Sequence, residues 1–136
     1  MSGTAYSENK LLDQLYGATS IVSSIPTYWY IGLSTTTPTE AGANVTEPSS
    51  GSYARIPVAN DKVSFTTATS GSLVNDIVFT FNESTVSWGT VTHIVYYDAL
   101  TSGNLWYFEA LPSPRAIAAN TTVYFSSGTL FITNRN

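Results

Sequence analysis

One histidine and nine carboxylates are the first candidates for acid–base chemistry in this chain. His93 lies in a strand-like run, on the face that period-two alternation assigns to Val91, Val95 and Tyr97. Catalysis or zinc binding by an imidazole needs partner groups of suitable type, and the chain has no cysteine. We therefore interpret His93 as a half-buried structural residue.

A glycosidase pair is the second chemistry to consider, since Asp98 and Glu109 flank a hairpin-like segment. Such a pair needs two carboxyl groups a few ångströms apart, which sequence spacing does not establish. Serine-nucleophile motifs and glycine-rich phosphate loops are absent from the sequence. We predict no enzymatic activity, no catalytic residues, no cofactor and no metal site.

Charge and hydropathy argue against binding to nucleic acid and against insertion into a membrane. The net charge is −4, and the five basic residues form no cluster of the kind that follows a phosphate backbone. No apolar run approaches the length that spans a bilayer, and the N-terminal MSGTAYSENK does not resemble a secretory signal. We expect a protein made in the cytosol that binds neither nucleic acid nor membrane.

A short helix is predicted over residues 7–17. Ser7 is a suitable N-cap, Glu8 lies in the first turn, and Gly17 is a suitable terminator. Its apolar face consists of Leu11, Leu12, Leu15 and Tyr16. A helix of this length is not stable alone, so it must dock on its own domain or on a neighbouring subunit. The connector that follows offers three apolar anchors: Ile21, Val22 and Ile25.

The rest of the chain has the pattern of short strands. The candidates, rich in β-branched and aromatic residues, are Tyr28–Ser34, Tyr53–Val58, Lys62–Thr66, Asp76–Phe81, Thr90–Tyr97, Asn104–Ala110, Thr122–Phe125 and Thr129–Thr133. Alternation places apolar residues on one face in the sets Val63/Phe65, Ile77/Phe79/Phe81, Val123/Phe125 and Leu130/Ile132. These patterns predict an all-β, antiparallel β-sandwich of about eight strands, jelly-roll or immunoglobulin-like, forming a single domain over residues 1–136 with one short N-terminal helix.

A long loop and a surplus of aromatic residues suggest contacts with other molecules. About twenty turn-forming residues separate the runs Tyr28–Leu33 and Tyr53–Val58, and loops of that length are usually functional. Successive aromatics in a strand face opposite sides, so some should lie outside the core and bind protein or sugar rings. Arg55 is expected either to fork onto a carboxylate or loop carbonyls, or to cap a strand at the surface. The candidate interface residues are Tyr28, Trp29, Tyr30, Thr37, Glu47, Tyr53, Arg55 and Trp106.

Four motifs in order resemble a family of small virion proteins of tailed bacteriophages. They are AYSENKLLDQLYG, YWYIGLSTTTPTEAGANVTEPSSGSYARIPV, SWGTVTHIVYYDALTSGNLWYFEAL and a terminal TLFIT. The matching positions are Glu8–Asp13, Tyr30–Thr39, Glu47–Arg55, Ser87–His93 and Asp98–Leu105. The chain departs from the family pattern at Ser50–Gly51, where Gly-Gly is frequent, and at Ile94–Val95, where Phe-Gly is common.

The resemblance implies a non-enzymatic structural role in the virion, after assembly in the host cytoplasm. The leading expectation is a decoration or cement protein that binds the major capsid protein and stabilises the head. The alternative is a tail, baseplate or tail-fibre component, with a receptor- or glycan-binding role as a further option. Other virion proteins are then the partners, and a homo-oligomer, dimer or trimer, is expected.

Overall fold

The computed structural model describes residues 2–17 and 25–133. Its elements in chain order are β1 (Ser2–Gly3), α1 (Ala5–Gly17), β2 (Tyr28–Ser34), β3 (Ile56–Ala59), β4 (Ser72–Val74), β5 (Phe79–Thr80), β6 (Gly89–Tyr97), β7 (Leu105–Ile117), β8 (Tyr124–Phe125) and β9 (Phe131–Thr133). The predicted anchors Ile21 and Val22 lie outside the described residues, and Ile25 is exposed.

Helix α1 begins at Ala5, two residues before the predicted start. Thr4 is the cap: its hydroxyl accepts a hydrogen bond from the Ser7 N–H at 3.4 Å. The Ser7 hydroxyl, which the sequence assigned to the cap, instead donates to the Trp106 carbonyl at 2.8 Å. The prediction of Ser7 as N-cap was wrong because Thr4 provides the capping oxygen. The Thr4 hydroxyl is in turn fixed to β7, where it donates to the Leu105 carbonyl.

The main sheet has five antiparallel strands in the order β1-β7-β6-β2-β3. Strand β2 has the predicted bounds and is central, paired with β6 over Tyr30–Ser34 and with β3 over Tyr28–Ile31. Strand β7 is longer than predicted and extends to Ile117. An antiparallel all-β fold with one short helix is thereby confirmed.

Two short ribbons, β4–β9 and β5–β8, form the second layer of this sandwich-like fold. They pack against one face of the sheet, where Ile31, Leu33 and Ile94 are fully buried. The predicted inward residues of the ribbons contribute as expected: Phe79, Phe81, Val123, Phe125, Leu130 and Ile132. Burial of this apolar surface is the main favourable contribution to the stability of the fold.

One predicted strand is replaced by a turn, and another is shortened. In the segment 62–66, the Asp61 carboxylate accepts hydrogen bonds from the N–H groups of Val63 and Ser64, which bends the backbone. Val63 is therefore exposed although Phe65 is buried, and the predicted shared face is wrong. Similarly, only Phe79–Thr80 of the predicted strand 76–81 is a strand, and Ile77 is exposed.

The second face of the main sheet is covered by the β2–β3 loop. A second apolar cluster there contains Val95, Tyr97 and Phe108, and Val45 of the loop packs against it. Hydrogen bonds between its two halves close the loop, for example from the Thr35 N–H to the Thr46 carbonyl at 2.9 Å. Because both faces are covered, successive residues of β6 and β7 are buried together, contrary to the expected alternation of one buried and one wet face.

Asn75 joins the ribbons to each other and should be a strong determinant of stability. Its side-chain amide donates to the carbonyls of Ile77 and Ser126, and its amide oxygen accepts from the N–H groups of Thr129 and Leu130. It is completely buried. We predict that Asn75→Ala lowers the free energy of unfolding by about 3 kcal/mol, since buried backbone groups lose their partners.

Urea denaturation measures this loss. Asn82→Ala is the matched control, because the Asn82 side chain is exposed and, within the described part of the chain, donates one hydrogen bond, to the Ser52 carbonyl. It should cost less than about 1 kcal/mol. If both variants lost the same free energy of unfolding, Asn75 would not have the special role in stability that we assign to it.

Candidate protein interface

Arg55 anchors the β2–β3 loop from within the protein. Its Nη2 donates to Oε2 of Glu47 at 2.7 Å, and its Nε lies within 3.2 Å of both carboxylate oxygens. Its Nη1 donates to the carbonyls of Ala99 and Ser102 at 2.7 and 2.8 Å. The guanidinium carbon lies 3.6 Å from the centre of the Tyr97 ring. Arg55 thus binds a carboxylate and loop carbonyls together, and the surface-cap alternative is wrong because the residue is only 8 % exposed.

Glu47 is the centre of this network. Its carboxylate accepts from Arg55 and also from the Tyr53 hydroxyl, at 2.6 Å, and that hydroxyl accepts from the Leu33 N–H at 2.9 Å. Burial raises the pKa of the Tyr53 phenol far above its usual value, and the neighbouring carboxylate adds to the effect. A Cβ at Gly32 would lie 2.7 Å from Oε1 of Glu47 and 2.8 Å from the Tyr53 oxygen, which is too close. Position 32 of β2 must therefore be glycine for these two side chains to lie against the strand.

The aromatic run at the start of β2 is only partly available for contacts. Tyr28 is 48 % exposed. Trp29 is half-buried against the main core, with its ring centre 5.3 Å from that of Trp106. Tyr30 packs against the second cluster. Of these three candidates, Tyr28 exposes the most surface; it lies at the start of β2 and pairs with Ala59 of the edge strand β3.

Two other interface candidates lie at opposite extremes of exposure. Thr37 is exposed on the β2–β3 loop. Trp106 is buried: the strand register shifts beside it, its ring contacts that of Tyr6 edge-on, and its indole N–H donates to Asp98 at 3.1 Å. The outward-facing tryptophan expected from alternation is therefore enclosed between α1 and the sheet.

His93 is a buried structural residue, and it lies on the predicted face with Val95 and Tyr97, but Val91 does not share that face. The β6–β7 register shifts between Val91 and His93, so Val91 enters the main core while His93 lies beside Phe108 on the other side. The prediction that these two residues share a face was wrong, because strand alternation does not continue through such an irregularity. The Nδ1 atom of His93 is 2.8 Å from the Thr92 hydroxyl.

Asp98 and Glu109 have separate structural partners. Burial of the Asp98 carboxyl acts to raise its pKa, but hydrogen bonds from Asn104 and Trp106 outweigh this and hold the pKa below its usual value. Glu109 accepts from the Tyr107 hydroxyl at 3.0 Å. Each carboxylate thus has a role in holding the local structure.

Much of the apolar face of α1 is exposed. The sequence predicted that this face docks, but left open whether it docks on its own domain or on a neighbouring subunit. Leu12 and Leu15 are both more than half exposed and Tyr16 is 84 % exposed, whereas the first turn of the helix is the part fixed to β7. Within the described residues of α1 no side chain is fully buried. Helix docking on its own domain therefore leaves most of the apolar face uncovered, as expected of a protein-contact surface.

The described ranges 2–17 and 25–133 contain no group of three or more His, Cys, Asp or Glu side chains placed to hold a metal ion. They also contain no helix with the length and hydropathy needed to cross a bilayer.

Replacing Arg55 should be strongly destabilising. We predict that Arg55→Met lowers the free energy of unfolding by about 3–5 kcal/mol, because it leaves the Glu47 carboxylate without its partner. Arg55→Lys should recover only part of this loss, since an ammonium group cannot make the forked contacts. In chemical denaturation, the double variant Glu47→Gln/Arg55→Met should cost less than the sum of the single variants. If the losses of the two single variants simply added up in the double variant, Glu47 and Arg55 would not be energetically coupled.

His93 should make stability depend on pH. Burial lowers the pKa of its imidazole below the usual value, so the unfolded chain binds a proton more readily than the folded protein. The free energy of unfolding should be constant above the unfolded-state pKa of about 6.5 and decline as the pH falls below it. Urea denaturation at a series of pH values should show this slope, and His93→Gln should flatten it. Equal slopes in the two proteins would refute the assignment.

Comparison with known proteins gives one match that covers nearly the whole chain. The model of a family described as "Podophage GP4 fiber I protein gp80" matches residues 2–133, a range that includes the Arg55 network, α1 and both ribbons. None of the curated proteins matches the chain. The matched range far exceeds half of the sequence, and the chain belongs to the podophage GP4 fiber I protein gp80 family, a family of structural proteins of the phage virion.

Proposed function

We propose that this chain is a structural subunit of a fibre of a tailed bacteriophage. The family match over residues 2–133 is the main support for this proposal, because the description of the family names a fibre protein. The proposed activity is assembly, through protein contacts, with no chemical step. The half-exposed Tyr28 and the apolar side chains of α1 supply contact surface of suitable composition.

Head decoration, the leading expectation from the sequence, has less support. The family description names a fibre and no capsid partner. The tail-fibre alternative therefore becomes the main proposal, and decoration remains an outcome of the experiment below.

The contact surface is proposed to be the exposed face of α1. Both edges of the main sheet are unsuitable for adding a further strand, because Pro57 lies in edge strand β3 and Pro112 and Pro114 lie in the part of β7 beyond its pairing with β1. Proline lacks the N–H that an added strand would need. Leu12, Leu15 and Tyr16 then provide the apolar area for association with a second copy or with another virion protein.

Position in the virion tests the fibre proposal directly. Quantitative mass spectrometry of purified virions, normalised to the major capsid protein, gives the copy number, and antibody labelling seen by electron microscopy gives the position. We expect a low copy number relative to the major capsid protein, with label on fibres. Hundreds of copies distributed over the head would overturn the fibre proposal and establish decoration.

Polar substitution on α1 should impair assembly without unfolding the protein. Leu12 and Leu100 are both 52 % exposed, so Leu12→Ser and Leu100→Ser form a matched pair that differs in location. We predict that Leu12→Ser, alone or with Leu15→Ser, reduces self-association in sedimentation experiments or incorporation into virions. Leu100→Ser, in the β6–β7 hairpin, should leave both unchanged. Normal assembly of the α1 variants would exclude this face as the contact.

A further inference from the structure

A crevice of about 410 Å³ lies between the far part of β7, residues 111–117, and the following segment 121–125. We call it the β7 crevice. Leu33 and Val91, which belong to the main core, form its apolar floor. None of the described residues that line it belongs to α1, so the β7 crevice and the exposed face of α1 are separate surfaces of one copy.

The exposed part of the crevice lining has the composition of a protein contact. Arg115 and Tyr124 are both exposed, Tyr124 by 62 %. Beside them, Leu111, Val123 and Phe125 are only partly buried, so the crevice offers apolar surface to a partner. Arginine and tyrosine are enriched at protein interfaces, and they contribute most where apolar neighbours exclude water around them.

The positive charge of Arg115 is not compensated within one copy. Among the described residues, its guanidinium has no hydrogen-bond acceptor and no ion-pair partner, and the one ion pair there joins Arg55 to Glu47. A guanidinium binds a carboxylate through two parallel hydrogen bonds. Arg115 therefore gives the β7 crevice a preference for a partner that carries negative charge.

The last two turns of α1 are an apolar surface without cover. Residues 11–17 are all exposed, although α1 has only 13 residues and a helix of that length depends on packing for its stability. Leu12, Leu15 and Tyr16 are neighbours on this part of the helix, and Asp13 lies one turn before Tyr16. The end of α1 thus presents apolar side chains bordered by a carboxylate.

The end of α1 is also electrically negative. Asp13 has no ion-pair partner within the described ranges, and α1 has no basic residue in its last turn. The partial negative charge of the C-terminal carbonyl groups is therefore not offset by a cation on the helix itself. An apolar helix end with negative charge complements an apolar crevice that is bordered by an uncompensated guanidinium.

We infer that the end of α1 from one copy docks in the β7 crevice of a second copy, with the apolar side chains of the helix against the crevice walls and Asp13 beside Arg115. The apolar contact supplies most of the affinity, whereas the exposed charge pair fixes the orientation. The inference rests on the proposed use of α1 as the contact surface, and it adds the surface that receives the helix.

This contact joins two different surfaces, so it is heterologous. After two copies have paired, the pair still has one unused α1 and one unused β7 crevice, and further copies add head to tail. A symmetric pairing of two α1 helices would instead stop at a dimer. Head-to-tail addition is the geometry that builds an elongated assembly from one small subunit.

Sedimentation velocity of the isolated full chain at rising concentrations tests the contact. We expect the wild type to form species larger than a dimer. Arg115→Glu should weaken the Kd of association about tenfold or more, because it brings like charges together. Lys62→Glu is the matched control: Lys62 is also exposed, its reversal changes the net charge by the same amount, and it does not line the crevice. It should associate as the wild type does.

Mixing two blocked variants separates this contact from a symmetric pairing of α1. Leu12→Ser/Leu15→Ser loses the helix surface and keeps the crevice, whereas Arg115→Glu keeps the helix surface and loses the crevice. Each should remain monomeric alone, and their mixture should form a dimer with one copy of each and nothing larger. Adding Asp13→Arg to Arg115→Glu exchanges the two charges and should restore association, which excludes misfolding of Arg115→Glu as the cause of its defect.

Three results would overturn the inference: a wild type that remains monomeric, an Arg115→Glu variant that associates as tightly as the wild type, or a mixture of the two blocked variants that stays monomeric. The second result, together with a defect in Leu12→Ser/Leu15→Ser, would assign α1 a different receiving surface. Labelling of virions decides the fibre proposal separately, so a monomeric wild type on a labelled fibre would remove this contact and leave that proposal standing.

Discussion

The ion pair between Arg55 and Glu47 is the interaction on which the second face of the sheet depends. A buried guanidinium is costly unless its donors are satisfied, and here a carboxylate, two hairpin carbonyls and the Tyr97 ring surround it. The arrangement fixes the end of the β2–β3 loop to the β6–β7 hairpin. It therefore converts a long polar loop into the cover of an apolar cluster, and leaves β2 and β6 buried on both sides.

Coverage of both faces explains the distribution of the aromatic residues. In a two-layer sandwich with one wet face, half of the aromatics in β6 and β7 would be exposed. Here Tyr96, Tyr97 and Tyr107 are all buried because the ribbons cover one face and the loop covers the other. Four of the exposed large apolar side chains, Leu11, Leu12, Leu15 and Tyr16, lie together on α1.

Helix α1 and an aromatic cavity adjoin each other in the structure. Helix α1 is held by its first turn, through Thr4 and Ser7, so its later turns can present leucines to a partner. The aromatic cavity lies behind the first turn, between the sheet and the β4–β9 ribbon, and shares Trp29 and Trp106 with the adjoining groove along α1.

Local periodicity, terminating residues and motif order were enough to predict the antiparallel all-β class, the bounds of β2, the end of α1 at Gly17 and the virion family. The partners of Arg55 were anticipated as types, a carboxylate and carbonyls, but not as Glu47, Ala99 and Ser102. Those partners, the turn at Asp61 and the register shifts beside His93 and Trp106 depend on the tertiary structure. Each arises from groups distant in the chain that compete for the same space and hydrogen bonds, which local patterns do not encode.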